Sequence, residues 1–312
     1  MPYLVYNDLV QRDRRYWLRL AKLTVVALAA GLVGGIAGYG LLTSALYIHA
    51  LTHPGCRETG ATPADVGIEG TQDVTYTSHD GLALRAWYLP PQNGAVIVLL
   101  PGINGARDGM LREGAILARH GYGLLMTELR SCAHPEGQAT LGHREAADLA
   151  EAVTWARSRP GVAHVGVLGY SLGGVIAILG AARDERIEAV VAEGGFYDLT
   201  ADITDSDRQC SILTRLLYST HPLFFRWETG VDTQSISPIR VIEQISPRPL
   251  LLIYGEHEAD AGHAWEQYEA AGEPKALWIV PDCGHGGYLQ AAPEEWERRV
   301  GAFFDGALSE GR

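Results

Sequence analysis

The stretch HVGVLGYSLGGVIAILGAA, residues 164–182, decides the fold. Residues 164–168 form a short, mostly apolar run that ends at glycine, the length of a buried strand. Residues 172–182 are small or apolar and free of proline, as a buried helix would be. Between them, Gly169-Tyr170-Ser171-Leu172-Gly173 has the spacing G-x-S-x-G. A serine at such a strand-to-helix turn sits on strained backbone, and glycines two positions either side remove side chains that would collide there. The turn lifts the hydroxyl clear of the sheet and aims a helix N-terminus at the reacting group. Ser171 is the candidate nucleophile.

Outward from this turn the chain alternates. Short apolar runs at 95–100, 123–126, 189–192, 250–254 and 276–280 read as strands buried on both faces, and helical patterns fill 110–120, 143–157, 264–271 and 293–308. Residues 74–77 and 82–88 flank His79-Asp80-Gly81 and read as a hairpin. This order predicts an α/β fold with a mostly parallel, doubly wound sheet over residues 73–312. The interval 196–245 is too long for an ordinary connection. Its Leu216, Tyr218, Phe224, Phe225 and Trp227 make it too apolar for disorder, so it reads as a helical cap inserted over one edge of the sheet.

A serine nucleophile needs a base. His285, in Asp282-Cys283-Gly284-His285-Gly286-Gly287, follows the last strand in a glycine-flexible loop. The acid that orients it is expected in the loop after 250–254, where Glu258 and Asp260 both qualify, with Glu256 and Glu193 as weaker alternatives. An oxyanion hole needs two backbone N–H donors. Leu172, directly after the nucleophile, supplies one, and Ile103 or else Asn104, in the loop after 95–100, supplies the other.

With these residues identified, about residues 70–310 resemble the α/β-hydrolase superfamily. The chain looks most like its bacterial membrane-anchored branch, described as serine aminopeptidase-like or dienelactone-hydrolase-like. The resemblance is carried by Asp80-Gly81, by Gly169 to Gly174, by Ser237-Pro238-Ile239, by Ser246-Pro247-Arg248-Pro249-Leu250-Leu251 and by the segment from Val280-Pro281 to His285-Gly286. It implies Ser171 as nucleophile, His285 as base, and an acid three residues after Gly255, which is Glu258. The family prefers Asp at that position, which keeps Asp260 as the alternative. Pro101, where many relatives have His, and Ser131-Cys132-Ala133, where relatives often have a glycine-rich turn, are further departures.

Charge divides the chain. Residues 1–22 carry Arg12, Arg14, Arg15, Arg19 and Lys22 against Asp8 and Asp13, a net of +3, so the −12 of the whole leaves −15 beyond it. An acidic body without a basic stripe excludes nucleic acid as partner. Residues 23–48 hold no charge and exceed the roughly 20 residues that cross a bilayer. They read as an uncleaved transmembrane helix rather than a signal peptide, whose apolar core is only about 7–15 residues long. The basic flank places residues 1–22 in the cytoplasm and the catalytic domain on the extracytoplasmic side. Residues 49–72, rich in Pro, Gly and Thr, read as a linker.

Four cysteines make no zinc pattern. Outside the cytoplasm pairs among Cys56, Cys132, Cys210 and Cys283 can form. Cys132 with Cys283, both in loops at the catalytic edge, is the first to expect, with free buried thiols as the equal alternative. Taken together, the expectation is a membrane-anchored serine hydrolase acting on a small-molecule carboxylic ester, without metal or organic cofactor. Alternatives are a thioesterase, a non-catalytic membrane-tethered binding module, or an aminopeptidase or amidase that binds the substrate amine through Asp202, Asp205 or Asp207.

Overall fold

The computed structural model describes residues 2–133, 137–204 and 211–308. Eight strands form one sheet: β1 (Gln72–Thr77), β2 (Ala83–Leu89), β3 (Ala95–Leu100), β4 (Gly123–Thr127), β5 (His164–Tyr170), β6 (Ala189–Glu193), β7 (Leu250–Gly255) and β8 (Lys275–Val280). Their order is β1-β2-β4-β3-β5-β6-β7-β8. The hairpin β1–β2 and the β2–β4 pair are antiparallel, and every pair from β4 to β8 is parallel.

The helices are α1 (Pro2–Thr52), α2 (Leu111–Arg119), α3 (Arg130–Ala133), α4 (His143–Arg157), α5 (Leu172–Ala181), α6 (Leu199–Thr204), α7 (Ile212–Tyr218), α8 (His221–Thr229), α9 (Pro238–Val241), α10 (Ala264–Ala270), α11 (Tyr288–Ala291) and α12 (Pro293–Leu308). Along β3, Val96, Val98 and Leu100 enter one core with Val153, Val175 and Ile176 of α4 and α5. Ala95, Ile97 and Leu99 enter the other with Leu117 of α2 and Trp296, Val300 and Phe304 of α12. The two-residue strand period thus feeds two layers of helices. Helix α5 is buried at every position, which is why its sequence carries no polar face. Arg248 ties its far end down, donating to the carbonyls of Ala181, Asp184 and Ile187 at 2.7, 2.8 and 3.0 Å.

One expectation changes here. Residues 49–72 do not form a free linker. Helix α1 runs on to Thr52 with Ile48 and Thr52 fully buried, and the segment after it is strapped to the domain. The Arg57 N–H donates to the Asn104 carbonyl (2.8 Å), and Thr59 and Gly60 N–H groups converge on the Asp108 carboxylate (2.6 and 3.1 Å). A Gly- and Pro-rich composition marks turns, and turns pack when their amides find partners. The described residues of the 196–245 insertion are largely helical, and its helices pack mainly on α1, α5 and α10.

The hairpin is locked by charge. Arg130, with only 2% of its side chain exposed, donates to Asp148 (2.8 and 3.0 Å) and to Asp80 at the hairpin tip (2.9 and 3.0 Å). Removing one member of such a group strands buried charge. Arg130→Ala is expected to cost about 3–5 kcal/mol, read from the urea midpoint of the full chain in detergent, and a loss below about 1 kcal/mol would refute it.

Candidate active site

Ser171 follows β5 and caps α5 at φ 54°, ψ −117°, a conformation a side chain rarely adopts. Its N–H donates to the Glu193 carbonyl at 2.6 Å, while its own carbonyl accepts the N–H groups of Gly174 and Val175. A Cβ on Gly169 would lie 2.0 Å from the Gly173 carbonyl oxygen, and one on Gly173 would lie 2.0 Å from the Leu100 oxygen. The two glycines are therefore steric requirements of the turn.

His285 sits between β8 and α11. The loop is laced to the one after β7: Glu256 accepts from the Asp282 N–H at 3.0 Å, and the His257 N–H donates to the Cys283 carbonyl at 3.0 Å. This lacing brings His285 Nε2 to 2.9 Å from Ser171 Oγ and His285 Nδ1 to 2.5 Å from Glu258 Oε2. The other Glu258 oxygen accepts from the Gly255 N–H at 2.9 Å and from the Tyr288 hydroxyl. Burial by itself would raise the Glu258 pKa, but the hydrogen bonds from His285, Gly255 and Tyr288 outweigh it and hold the carboxyl below its usual range. The hydrogen bond to Glu258, only partly opposed by desolvation, lifts His285 above its usual value of 6.5.

Of the other carboxylates weighed from sequence, Asp260 is exposed, and Glu256 is committed to the Asp282 amide. Glu193 is buried against the Trp296 indole, whose N–H donates to it at 2.7 Å. Burial, reinforced by the negative charge of Glu113, pushes Glu193 up to about 8. Ile103 and Leu172 line a cavity of about 360 Å³ with Ser171, His285, Phe196 and Asp202. Asn104, at φ 56°, is not part of that lining, and its carbonyl is taken by Arg57. Asp205 and Asp207 lie outside the described residues.

Two aromatic residues were not singled out from sequence. Tyr288 holds Glu258, and Tyr170 stacks on the His285 ring with centroids 5.5 Å apart. Their only signal was position, Tyr170 inside the G-x-S-x-G turn and Tyr288 three residues after the histidine. The cysteine pairing is also corrected. Cys56 is bonded to Cys132, and Cys283 is a buried free thiol. The strap after α1 carries Cys56 across to α3, which holds Cys132, with the two Cα atoms 4.7 Å apart, while Cys283 turns into the core beneath the histidine loop. Among the described residues, two clusters have the make-up of a metal site, His49/His53/Glu228 and His79/Asp80/Asp148. Neither lines the Ser171 cavity, and in the second Arg130 already pairs with both carboxylates.

This sheet order and this serine turn define an α/β hydrolase of the serine-hydrolase class. Residues 49–220, more than half of the chain, match the model of the X-Pro dipeptidyl-peptidase (S15) family, and the chain belongs to that family. It is 31% identical over 137 residues to the polyketide transferase grgF of a Penicillium species, a match covering 42% of this chain and 47% of that one. The uncharacterized protein YfhR of Escherichia coli (strain K12) is 24% identical over 225 residues, covering 69% and 73%. The match spans about half the length of the first two curated relatives. Among solved structures, the Pyrococcus furiosus esterase Pf2001 superposes with a TM-score of 0.65 at 24% identity, over 83% of this chain and 99% of that one.

The raised Glu193 has a measurable consequence. The folded state keeps this proton up to about pH 8, whereas the unfolded chain releases it near 4.5, so stability falls as pH rises between those values. Glu193→Gln keeps an acceptor for Trp296 and removes that slope. Relative to wild type it is expected to gain on the order of a few kcal/mol between pH 5 and pH 9 in urea unfolding, and an unchanged difference would refute it.

Proposed function

We propose that this enzyme is a membrane-anchored serine hydrolase that cleaves a carboxylic ester through Ser171, His285 and Glu258. The observation that carries this reading is the continuous chain of hydrogen bonds from Ser171 Oγ through the imidazole to Glu258, at 2.9 and 2.5 Å. His285 takes the Ser171 proton as Oγ bonds to the acyl carbon. The Leu172 and Ile103 N–H groups stabilise the oxyanion. The ester C–O bond then breaks, and the proton passes from His285 to the leaving alcohol. Water, deprotonated by His285, attacks the acyl-enzyme, releasing the acid and returning the proton to Ser171. Glu258 fixes the tautomer of the imidazole and offsets the charge of the imidazolium, and Tyr288 and the Gly255 amide fix Glu258.

Anchoring is proposed through residues 23–48 of α1, whose Leu23, Val25, Leu28, Leu32 and Val33 are left uncovered by the rest of the chain. The basic N-terminus supports a cytoplasmic start, and the Cys56–Cys132 bond supports an oxidising compartment for the domain. A second reading, removal of short N-terminal peptide units, is favoured by Asp202, an acidic residue in the cavity wall. Asp202→Asn would then depress turnover of aminoacyl anilides while sparing p-nitrophenyl esters.

Two measurements test the hydrolase. A fluorophosphonate probe is expected to label wild type and to fail on Ser171→Ala and His285→Ala, and labelling of Ser171→Ala would refute the nucleophile. The pH profile of kcat/KM is expected to fall as pH drops through a value above 6.5, where His285 gains its proton. Glu258→Gln removes the charge that raises His285, so its acidic limb moves to lower pH while kcat/KM drops about 100-fold or more. An unmoved limb would remove Glu258 from the triad.

A further inference from the structure

The insertion is joined to the anchor helix at a particular depth. A Cβ on Gly40 would lie 1.9 Å from Leu217 Cδ2, so glycine at this point lets α7 close on α1. The Ser44 hydroxyl donates to the Leu217 carbonyl at 3.3 Å, Tyr47 stacks on His221 at 4.9 Å between centroids, and His49 Nδ1 meets Glu228 at 2.6 Å. These contacts span residues 40–49 of a helix whose uncharged stretch is 23–48. Twenty-six helical residues measure about 39 Å, against about 30 Å of hydrocarbon. With Lys22 held at one surface, about six residues are left over, and the last two turns fall at the opposite interface. Helices α7 and α8 are thereby held at headgroup level.

Their outward faces suit that position. Ile212 and Leu216, one turn apart on α7, are 82% and 63% exposed, and Leu223 and Trp227, one turn apart on α8, are 68% and 80% exposed. Arg215 and Arg226 are also exposed on the same helices, as headgroup contacts require. Between α1 and these helices lies a second cavity, about 620 Å³, walled by Tyr39, Ser44 and Tyr47 on one side and Leu217 and Tyr218 on the other. Asp202 lines both this cavity and the one at Ser171, and Leu51 of α1 lines the latter.

We propose that α7 and α8 dock into the outer interface of the bilayer beside α1, and that the cavity between them admits a lipid-borne acyl ester sideways from the membrane to Ser171. The proposal rests on the hydrolase and membrane-span readings above and names their substrate class. Ile212, Leu216, Leu223 and Trp227 are the wetted face of the docking surface, and Tyr39 and Tyr47 border the entry. The bilayer, rather than a soluble protein, is the occupant because α7 and α8 pack directly on the end of the apolar anchor helix, where Leu41, Leu42 and Leu46 are also exposed.

The test uses the full chain in phosphatidylcholine/phosphatidylglycerol vesicles. Acyl-chain-brominated phosphatidylcholine is expected to quench a fluorescence component that Trp227→Phe removes. Equal quenching in the two proteins overturns the docking. So does a dimer that Trp227→Glu dissociates, since a second copy would then cover the patch. For the entry route, the substrates are 4-methylumbelliferyl oleate dissolved in the bilayer and the soluble butyrate. Leu216→Glu with Trp227→Glu is expected to lower oleate turnover about tenfold or more while butyrate turnover stays within about twofold. Unchanged oleate turnover, or an equal fall on both substrates, overturns the route. Failure of the wild type to bind fluorophosphonate would instead sink the hydrolase reading, and loss of the chain to carbonate extraction the span, with bromolipid quenching still deciding the docking.

Discussion

The close approach of Gly173 to the Leu100 carbonyl is the constraint on which the site depends. A backbone at φ 54° on a serine costs about 1–3 kcal/mol, and it persists only where the surroundings over-determine it. Here β3 supplies the carbonyl that excludes a side chain at 173, β6 supplies the acceptor for the Ser171 amide, and a wholly buried α5 fixes the direction of exit. The register of three neighbouring parallel strands, Leu100 beside Gly169 and Tyr170 beside Glu193, thus sets the position of one hydroxyl. The sheet is the instrument that holds the strain.

Two glutamates near this turn show how donors, more than burial, decide charge. Burial opposes ionisation in both. Glu258 has three donors, from His285, Gly255 and Tyr288, and stays low; Glu193 has the Trp296 indole and the unfavourable field of Glu113, and rises to about 8. The difference separates an acid that can orient a histidine at neutral pH from a protonated group that serves packing. It also explains Tyr288, whose own ionisation is suppressed by burial and by its bond to Glu258, leaving it a permanent donor.

The sequence was most legible where the hydrophobic pattern is unambiguous, either continuous or at helical spacing. The run at 95–100 has the predicted limits because all six residues are apolar and buried, and the helices at 143–157 and 293–308 have theirs because apolar residues recur at helical spacing against a charged outer face. Composition alone did not choose among Glu256, Glu258, Asp260 and Glu193, three of which lie within five residues, and only the family resemblance, through the spacing from Gly255, pointed to Glu258. Cys56 was likewise placed in a linker by composition, although it lies beside Cys132 through the backbone bond from Arg57 to Asn104, which no local pattern announces. Contacts between segments far apart in the chain are the part a single sequence hides.

The missing linker changes what the proposed anchor does. A flexible segment of about twenty residues would let the domain range over roughly 25 Å, with its cavity facing any direction. Helix α1 instead enters the domain unbroken, buries Ile48 and Thr52, and contributes Leu51 to the wall beside Ser171. The same helix that carries the uncharged stretch is therefore part of the cavity. Any tilt of α1 is transmitted to the insertion through Gly40, Ser44 and His49, and through Leu51 to the cavity itself. On the proposed span, distance and orientation relative to the bilayer are properties of the fold. That is the geometry a catalyst needs when its substrate is presented at a surface rather than in solution.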